Sequence, residues 1–339
     1  MLLNEYLLKT RMYKLLLLFL LISSCNETSV TKFSLKGKTN KFKDGTTLYL
    51  SNNNTLIDST KVKNNSFEFH TVLPTSPLDV FLRTKNYSHY RYLWLENKAM
   101  TFDARKTNFK NAIVTGSKSE ELNFNLYKNT DSLTDNEILN LEIEFIKEHP
   151  SSIISASILS SNSSTLGRNK VQNLYELLSE ENKNSKYGKQ IAQFVSLNKE
   201  LKIGDHFIDF EMLDNTGIPK KLSDTKAKAI LLEFWASWCS PCRKENPNLV
   251  NTYKKYKPKG FEIFAVSLDG NKNNWLKAIK QDHLNWIHVS DLKGSNNRAC
   301  LIYGIDEIPK NFLIDKNGII IGKNLKGLTL KNKLKETLK

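Results

Sequence analysis

The stretch EFWASWCSPCRKENPNL (residues 233–249) carries two of the chain's four cysteines, Cys239 and Cys242, three positions apart. An apolar run precedes them and a helical pattern follows, with Pro241 suited to a first helical turn, where its missing N–H is no loss. At this spacing the two side chains share one face at a helix start. Their sulfurs can close a small ring with little backbone movement. A free thiol titrates near about 8.5, and at a helix N-terminus the positive end of the dipole and the unpaired amide donors lower that to roughly 7 or below. Cys239, expected at an exposed edge beside Trp238, would then attack a disulfide as thiolate. Cys242, one turn inward, would attack the Cys239 sulfur in turn and release the reduced product. The pair reads as a reversible two-electron switch.

Other chemistries fit the pair less well. A structural disulfide at this spacing closes a tiny loop and stabilises little. Zinc needs four ligands, typically from a second cysteine pair or paired histidines, and none is nearby in the sequence. Haem attachment needs histidine directly after the second cysteine, where this chain has Arg243. Cys300, within the apolar ACLIYG, reads as a small buried hydrophobe rather than a third redox thiol. The six histidines form no cluster along the sequence. No cofactor or metal is expected beyond a redox-active Cys239–Cys242 disulfide.

Three kinds of segment surround this motif. Residues 202–339 alternate strand and helix patterns in the order β-α-β-α-β-α-β-β-α. AKAILLEFWAS (227–237) lacks alternation, as a strand buried on both faces should. The helix that follows is expected to kink at Pro247. Residues 26–116 are short alternating runs punctuated by Asn, Gly, Ser and Lys, the pattern of a small antiparallel sandwich or barrel. Its aromatics Phe67, Phe69, Tyr90, Tyr92 and Trp94 read as mostly core, and it carries no paired acids, histidine cluster or phosphate loop. Residues 117–201 change to helical periodicity with breaks at Pro150 and Gly167, a connector expected to brace the two β-containing parts.

Apolar residues at 40% and charged residues at 25% indicate folded globular protein. The net charge of +15 invites a nucleic-acid reading. The lysines are scattered singly, however, so a solvated surface is expected and no nucleic-acid partner. After Arg11 and Lys14, LLLLFLLI (15–22) is too short to span a bilayer, which takes roughly 20 residues, but fits a signal-peptide core. A start at Met12 would leave a compact basic segment ahead of it. Residues 1–25 are therefore read as an export signal.

Several of these motifs carry a resemblance. LISSC resembles a bacterial lipoprotein signal, which implies acylation of Cys25 and a stable membrane anchor at the cell envelope. DSTKVKNNSFEFH (58–70) resembles an uncharacterised β-domain found ahead of such proteins. FWASWCSPCRKENP, YGIDEIPKNFLIDKNG (303–318) and IGDHFIDFEMLDNTG (203–217) resemble thioredoxins, and more closely the TlpA/ResA-like thiol-disulfide oxidoreductases of the bacterial envelope. The resemblance covers about 40% of the chain. It implies an α/β thioredoxin fold, a mixed central sheet flanked by helices, behind the β-sandwich or barrel and the helical connector.

Residue by residue, the resemblance implies that Ile308-Pro309 is the cis-proline pair that receives substrate backbone. It implies that Glu233 is a buried acid shuttling the proton of Cys242, and that Glu245 is the acid near the dithiol. Trp238 would contact substrate. Disulfide-containing envelope proteins and a membrane thiol reductase would be the partners, with cytochrome c maturation one setting. Ser240-Pro241 between the cysteines is close to thioredoxin's Gly-Pro, so a reductant is expected. Two alternatives remain at this point. One is a thiol peroxidase, although Trp238 stands where peroxiredoxins have threonine; the other is a ligand-binding lipoprotein with a vestigial redox domain.

Overall fold

A computed structural model describes residues 32–52 and 55–339. Cys25 and the proposed export signal lie outside the described residues. The chain divides into two compact units, residues 1–125 and 126–339.

Among the described residues of the first unit, eight strands form two four-stranded sheets. They are β1 (Phe33–Lys38), β2 (Thr47–Asn52), β3 (Thr55–Lys61), β4 (Ser66–Thr71), β5 (Leu78–Arg83), β6 (Tyr90–Leu95), β7 (Ala99–Asp103) and β8 (Ile113–Thr115). The sheet orders are β4-β1-β7-β8 and β3-β2-β5-β6. Strand alternation points Leu35, Phe67, Phe69 and Phe102 from one sheet, and Leu48, Leu50, Val80, Leu82 and Leu93 from the other, into one core. Between β3 and β4, Lys63 and Ser66 exchange both backbone hydrogen bonds around Asn64 and Asn65. Both asparagines take positive φ (50° and 57°), the conformation a two-residue hairpin turn requires and asparagine tolerates.

Two expectations need correcting here. The unit is not wholly antiparallel, because β1 pairs with β7 in parallel. Alternation in sequence sets which face of a strand is buried, not which neighbour it chooses. And while Phe67, Phe69 and Trp94 are buried, Tyr90 is 43% exposed and Tyr92 half-buried. Both lie on the outer side of β6 as its alternation dictates.

A helix α1 (Lys118–Tyr127) follows β8. Its Glu120 carboxylate accepts from Arg91 Nη2 at 2.8 Å and from the Trp94 N–H at 3.0 Å, a buried ion pair against β6.

The second unit begins with helices α2 (Asp135–Glu148), α3 (Ile153–Ser161), α4 (Ser163–Leu166), α5 (Arg168–Leu177), α6 (Glu180–Asn184) and α7 (Lys186–Leu197). Thr134 and Glu137 form a reciprocal capping box at the start of α2. These helices cluster with the C-terminal fold: beyond α7, Asn198 Nδ2 donates to the Leu301 carbonyl at 3.1 Å and the Lys199 N–H to the Ile302 carbonyl at 3.2 Å.

The C-terminal fold opens with a short hairpin, β9 (Glu211–Leu213) and β10 (Pro219–Lys221). Then come β11 (Ala229–Trp235), α8 (Ser240–Tyr256), β12 (Phe261–Ser267), α9 (Lys272–Gln281), β13 (Ile287–Val289), α10 (Arg298–Tyr303), β14 (Lys310–Asp315), β15 (Ile320–Lys323) and α11 (Gly327–Thr337). The five-stranded sheet has the order β13-β12-β11-β14-β15, parallel from β13 to β11 and antiparallel beyond it. Every residue of central β11 is buried. This is the mixed sheet of a thioredoxin fold, and it delivers the end of β11 to the start of α8. Pro247 lies inside α8, which runs unbroken from Ser240 to Tyr256. The β14–β15 turn closes at Gly318 (φ +82°), a backbone conformation that favours glycine.

Candidate active site at the start of helix α8

The loop after β11 folds back on itself, with the Cys239 N–H donating to the Ala236 carbonyl at 3.1 Å, and α8 starts at Ser240. Cys239 is the N-cap of α8, and Pro241 stands in its first turn. Cys239 and Cys242 are joined as a disulfide with Cα atoms 5.3 Å apart. The Cys242 N–H points at Cys239 Sγ at 3.1 Å, so the outer sulfur occupies the place where an N-cap oxygen would accept. When the disulfide opens, the charge on Cys239 meets that amide and the positive end of α8.

One expectation is corrected. Cys239 is 4% exposed rather than sitting at an open edge, while Trp238 beside it is 65% exposed. The Ile308 carbonyl lies 3.7 Å from Cys239 Sγ, and the Ile308–Pro309 peptide is cis. Ile308, 69 residues along the chain, is thereby brought against the outer sulfur, with Pro309 next to it in the chain.

Glu233 stands on β11 directly opposite Asn311 of β14. It is 5% exposed, and burial pushes its carboxyl up from 4.5 to about 8. The Asn311 amide and the Lys326 ammonium pull it down, and the Glu245 carboxylate pushes it further up. Its Oε2 is buried without a hydrogen-bond partner among the described residues. Asn311 is itself fixed, donating to the Leu325 carbonyl and accepting the Leu325 N–H, both at 2.9 Å. Glu245 is half-buried on α8 and accepts from the Gly327 N–H at 3.2 Å, which ties it to the first turn of α11.

The structure thus gathers Cys239, Cys242, Ile308 and Pro309 in one place. Glu233 and Glu245 form one electrostatic cluster with Lys326, and Trp238 points outward. Sequence reasoning missed Asn311 and Lys326. Asn311 had a signal, a polar residue inside the apolar strand KNFLID; Lys326 had none, being one lysine among many. Cys300 is buried at 1% exposure, its thiol pushed well above its usual range by burial.

Comparison with known proteins gives two family matches, the AhpC/TSA family over residues 203–323 and a domain of unknown function (DUF4369) over residues 33–123. The thiol-disulfide oxidoreductase ResA of Bacillus cereus is 36% identical over 146 residues, 43% of this chain and 82% of that protein. ResA of Geobacillus thermodenitrificans is 33% identical over 147 residues, again 43% and 82%. Among solved structures, the thioredoxin domain of a thiol-disulfide oxidoreductase from Bacteroides vulgatus is 35% identical, with a TM-score of 0.39, covering 41% of this chain and 99% of that one.

Proposed function

The chain belongs to the ResA-type thiol-disulfide oxidoreductases, and on that premise we propose that it reduces disulfides of other envelope proteins by dithiol exchange through Cys239 and Cys242. The observation that carries this reading is the pairing of the two sulfurs at the N-cap of α8, with the Cys242 N–H 3.1 Å from Cys239 Sγ.

The step balances as follows. Reduced Cys239, as thiolate, attacks one sulfur of a substrate disulfide, forms a mixed disulfide and expels the other substrate sulfur as thiolate. Cys242 gives up its proton and attacks Cys239 Sγ. That re-forms the Cys239–Cys242 bond and frees the second substrate sulfur, so two electrons have passed to the substrate. Glu233 accepts the Cys242 proton, and its position near neutrality suits a group that must both take and return one. Glu245 and Lys326 set the charge around it. Trp238 and the Ile308–Pro309 segment receive the substrate chain. A membrane thiol reductase would return the enzyme to its dithiol form. Acylation of Cys25 would hold it at the membrane facing envelope substrates, with apocytochrome c among the candidates.

The thiol-peroxidase alternative is not favoured: Cys239 has its partner one turn away in the same helix, the arrangement exchange requires, and the relatives carry oxidoreductase names. The test is reduction of insulin by wild type and Cys239→Ser, with peroxide consumption measured alongside. Loss of insulin reduction in the variant supports exchange. Equal rates, or peroxide turnover as the dominant activity, contradict it.

A further inference from the structure

We infer that Asp269 is a positioning residue for protein substrates, acting through Ser237 to hold the segment that presents Trp238. This rests on the exchange reading above and extends it to substrate choice.

Asp269, just beyond β12, is 1% exposed at the end of a strongly apolar run. A carboxylate there is costly unless its oxygens are filled by donors. They are filled: Oδ2 accepts the Ser237 N–H at 2.9 Å and the Ser267 hydroxyl at 2.8 Å, and Oδ1 accepts the Ser237 hydroxyl at 2.5 Å. The remaining polar group of Ser237, its carbonyl, accepts from Arg243 Nη1 at 3.1 Å. Every hydrogen-bonding group of Ser237 is therefore occupied.

Arg243 is anchored in turn. Its Nη2 donates to Asp282 Oδ1 at 2.7 Å and its Nε to Asp282 Oδ2, which also accepts from Asn246 Nδ2 at 2.7 Å. Asp282 is the C-cap of α9. The residue before Trp238 is thus clamped to the end of β12, the first turns of α8 and the end of α9. Trp238 itself is 65% exposed, so what fixes its direction is the backbone beneath it. A large aromatic side chain held ready in solvent binds a partner without first paying the ordering entropy of its loop. A small disulfide needs only the sulfur, whereas a folded or extended protein substrate must lie along Trp238.

The experiment compares the full chain with Ser237→Ala, Ser237→Thr and Asp269→Asn, using insulin and oxidised glutathione as substrates. Ser237→Ala removes a charge-assisted hydrogen bond and is expected to raise KM for insulin about tenfold with kcat unchanged, and to leave glutathione disulfide reduction within about twofold. Ser237→Thr keeps both donors and is expected to restore the insulin KM. Asp269→Asn is expected to act as Ser237→Ala or more strongly. If that variant does not fold, the Ser237 pair decides. An insulin KM unchanged in Ser237→Ala, a parallel loss on both substrates, or no recovery in Ser237→Thr overturns the inference. Inactivity of wild type towards both disulfides instead overturns the exchange reading itself.

Discussion

The carbonyl oxygen of Ile308 stands 3.7 Å from Cys239 Sγ, the sulfur that the exchange reading makes the attacker. In this disulfide form Cys239 is buried while Trp238 beside it is exposed. On the exchange reading, attack and resolution fall to different sulfurs, and removing them should have different results. Cys242→Ala is expected to accumulate mixed disulfides on Cys239, because nothing resolves them. Cys239→Ala should accumulate none. Non-reducing electrophoresis with mass spectrometry of the captured species checks both, and adducts retained in Cys239→Ala would contradict the division of labour.

The raised Glu233 carboxyl gives the fold a pH dependence whose sign follows from the direction of the shift. Its carboxyl titrates near 4.5 in the unfolded chain and is pushed up to about 8 when folded, burial being the leading cause. Between those values the folded state holds a proton that the unfolded state has released. Its contribution is fully present below about 4.5 and is lost as pH rises through about 8. Glu233→Gln removes this loss, so the variant should exceed wild type in stability by on the order of a few kcal/mol at pH 9 and match it more closely at pH 5. Denaturant melts of the oxidised protein at both pH values test this. The same variant should slow turnover at neutral pH by on the order of 10²-fold, the usual worth of a lost general acid–base group.

The neighbours of Glu233 should move its titration in opposite directions. Glu245 raises it and Lys326 lowers it. Glu245→Gln is therefore expected to shift the Glu233 midpoint down, and Lys326→Met to shift it up. The carboxyl carbon resonance followed against pH reads both. Shifts of the same sign in the two variants would contradict the arrangement.

In the β-unit, Arg91 and Glu120 form an ion pair at 2.8 Å with side chains only 15% and 2% exposed. Burial raises the Glu120 carboxyl and outweighs the pull of Arg91. Arg91→Met strips the carboxylate of its partner and should cost about 3–5 kcal/mol, whereas Arg91→Met with Glu120→Gln, which removes the buried charge and keeps an acceptor for the Trp94 N–H, should cost less. Thermal melts of the two variants provide the comparison.

How much of this was legible in the sequence depended on how local the cause was. The dithiol, Pro241 and the fully apolar β11 are written in one contiguous stretch, and their geometry follows from the rise and dipole of a single helix. Thioredoxin-like order and the place of Pro309 came through resemblance of three separated motifs. What escaped depends on distant contacts. Ile308, whose carbonyl lies 3.7 Å from the buried Cys239 Sγ, stands 69 residues away in the chain. Asn311 and Lys326 approach Glu233 from β14 and from the start of α11. Asp269 and Asp282 reach Ser237 and Arg243 across the fold, and nothing near them in sequence marks that they meet. In the β-unit, alternation located the strands and their buried faces, but not the parallel pairing of β1 with β7, which joins strands far apart in the chain.

The most direct test is alkylation of the reduced protein by iodoacetamide across pH 5–10, with the modified cysteine identified by mass spectrometry. The account predicts that Cys239 reacts first, with a midpoint below the roughly 8.5 of a free thiol, while Cys242 lags and Cys300 stays unmodified until the protein is denatured. A Cys239 that stays inert at neutral pH, or that titrates no lower than a free thiol, would contradict it.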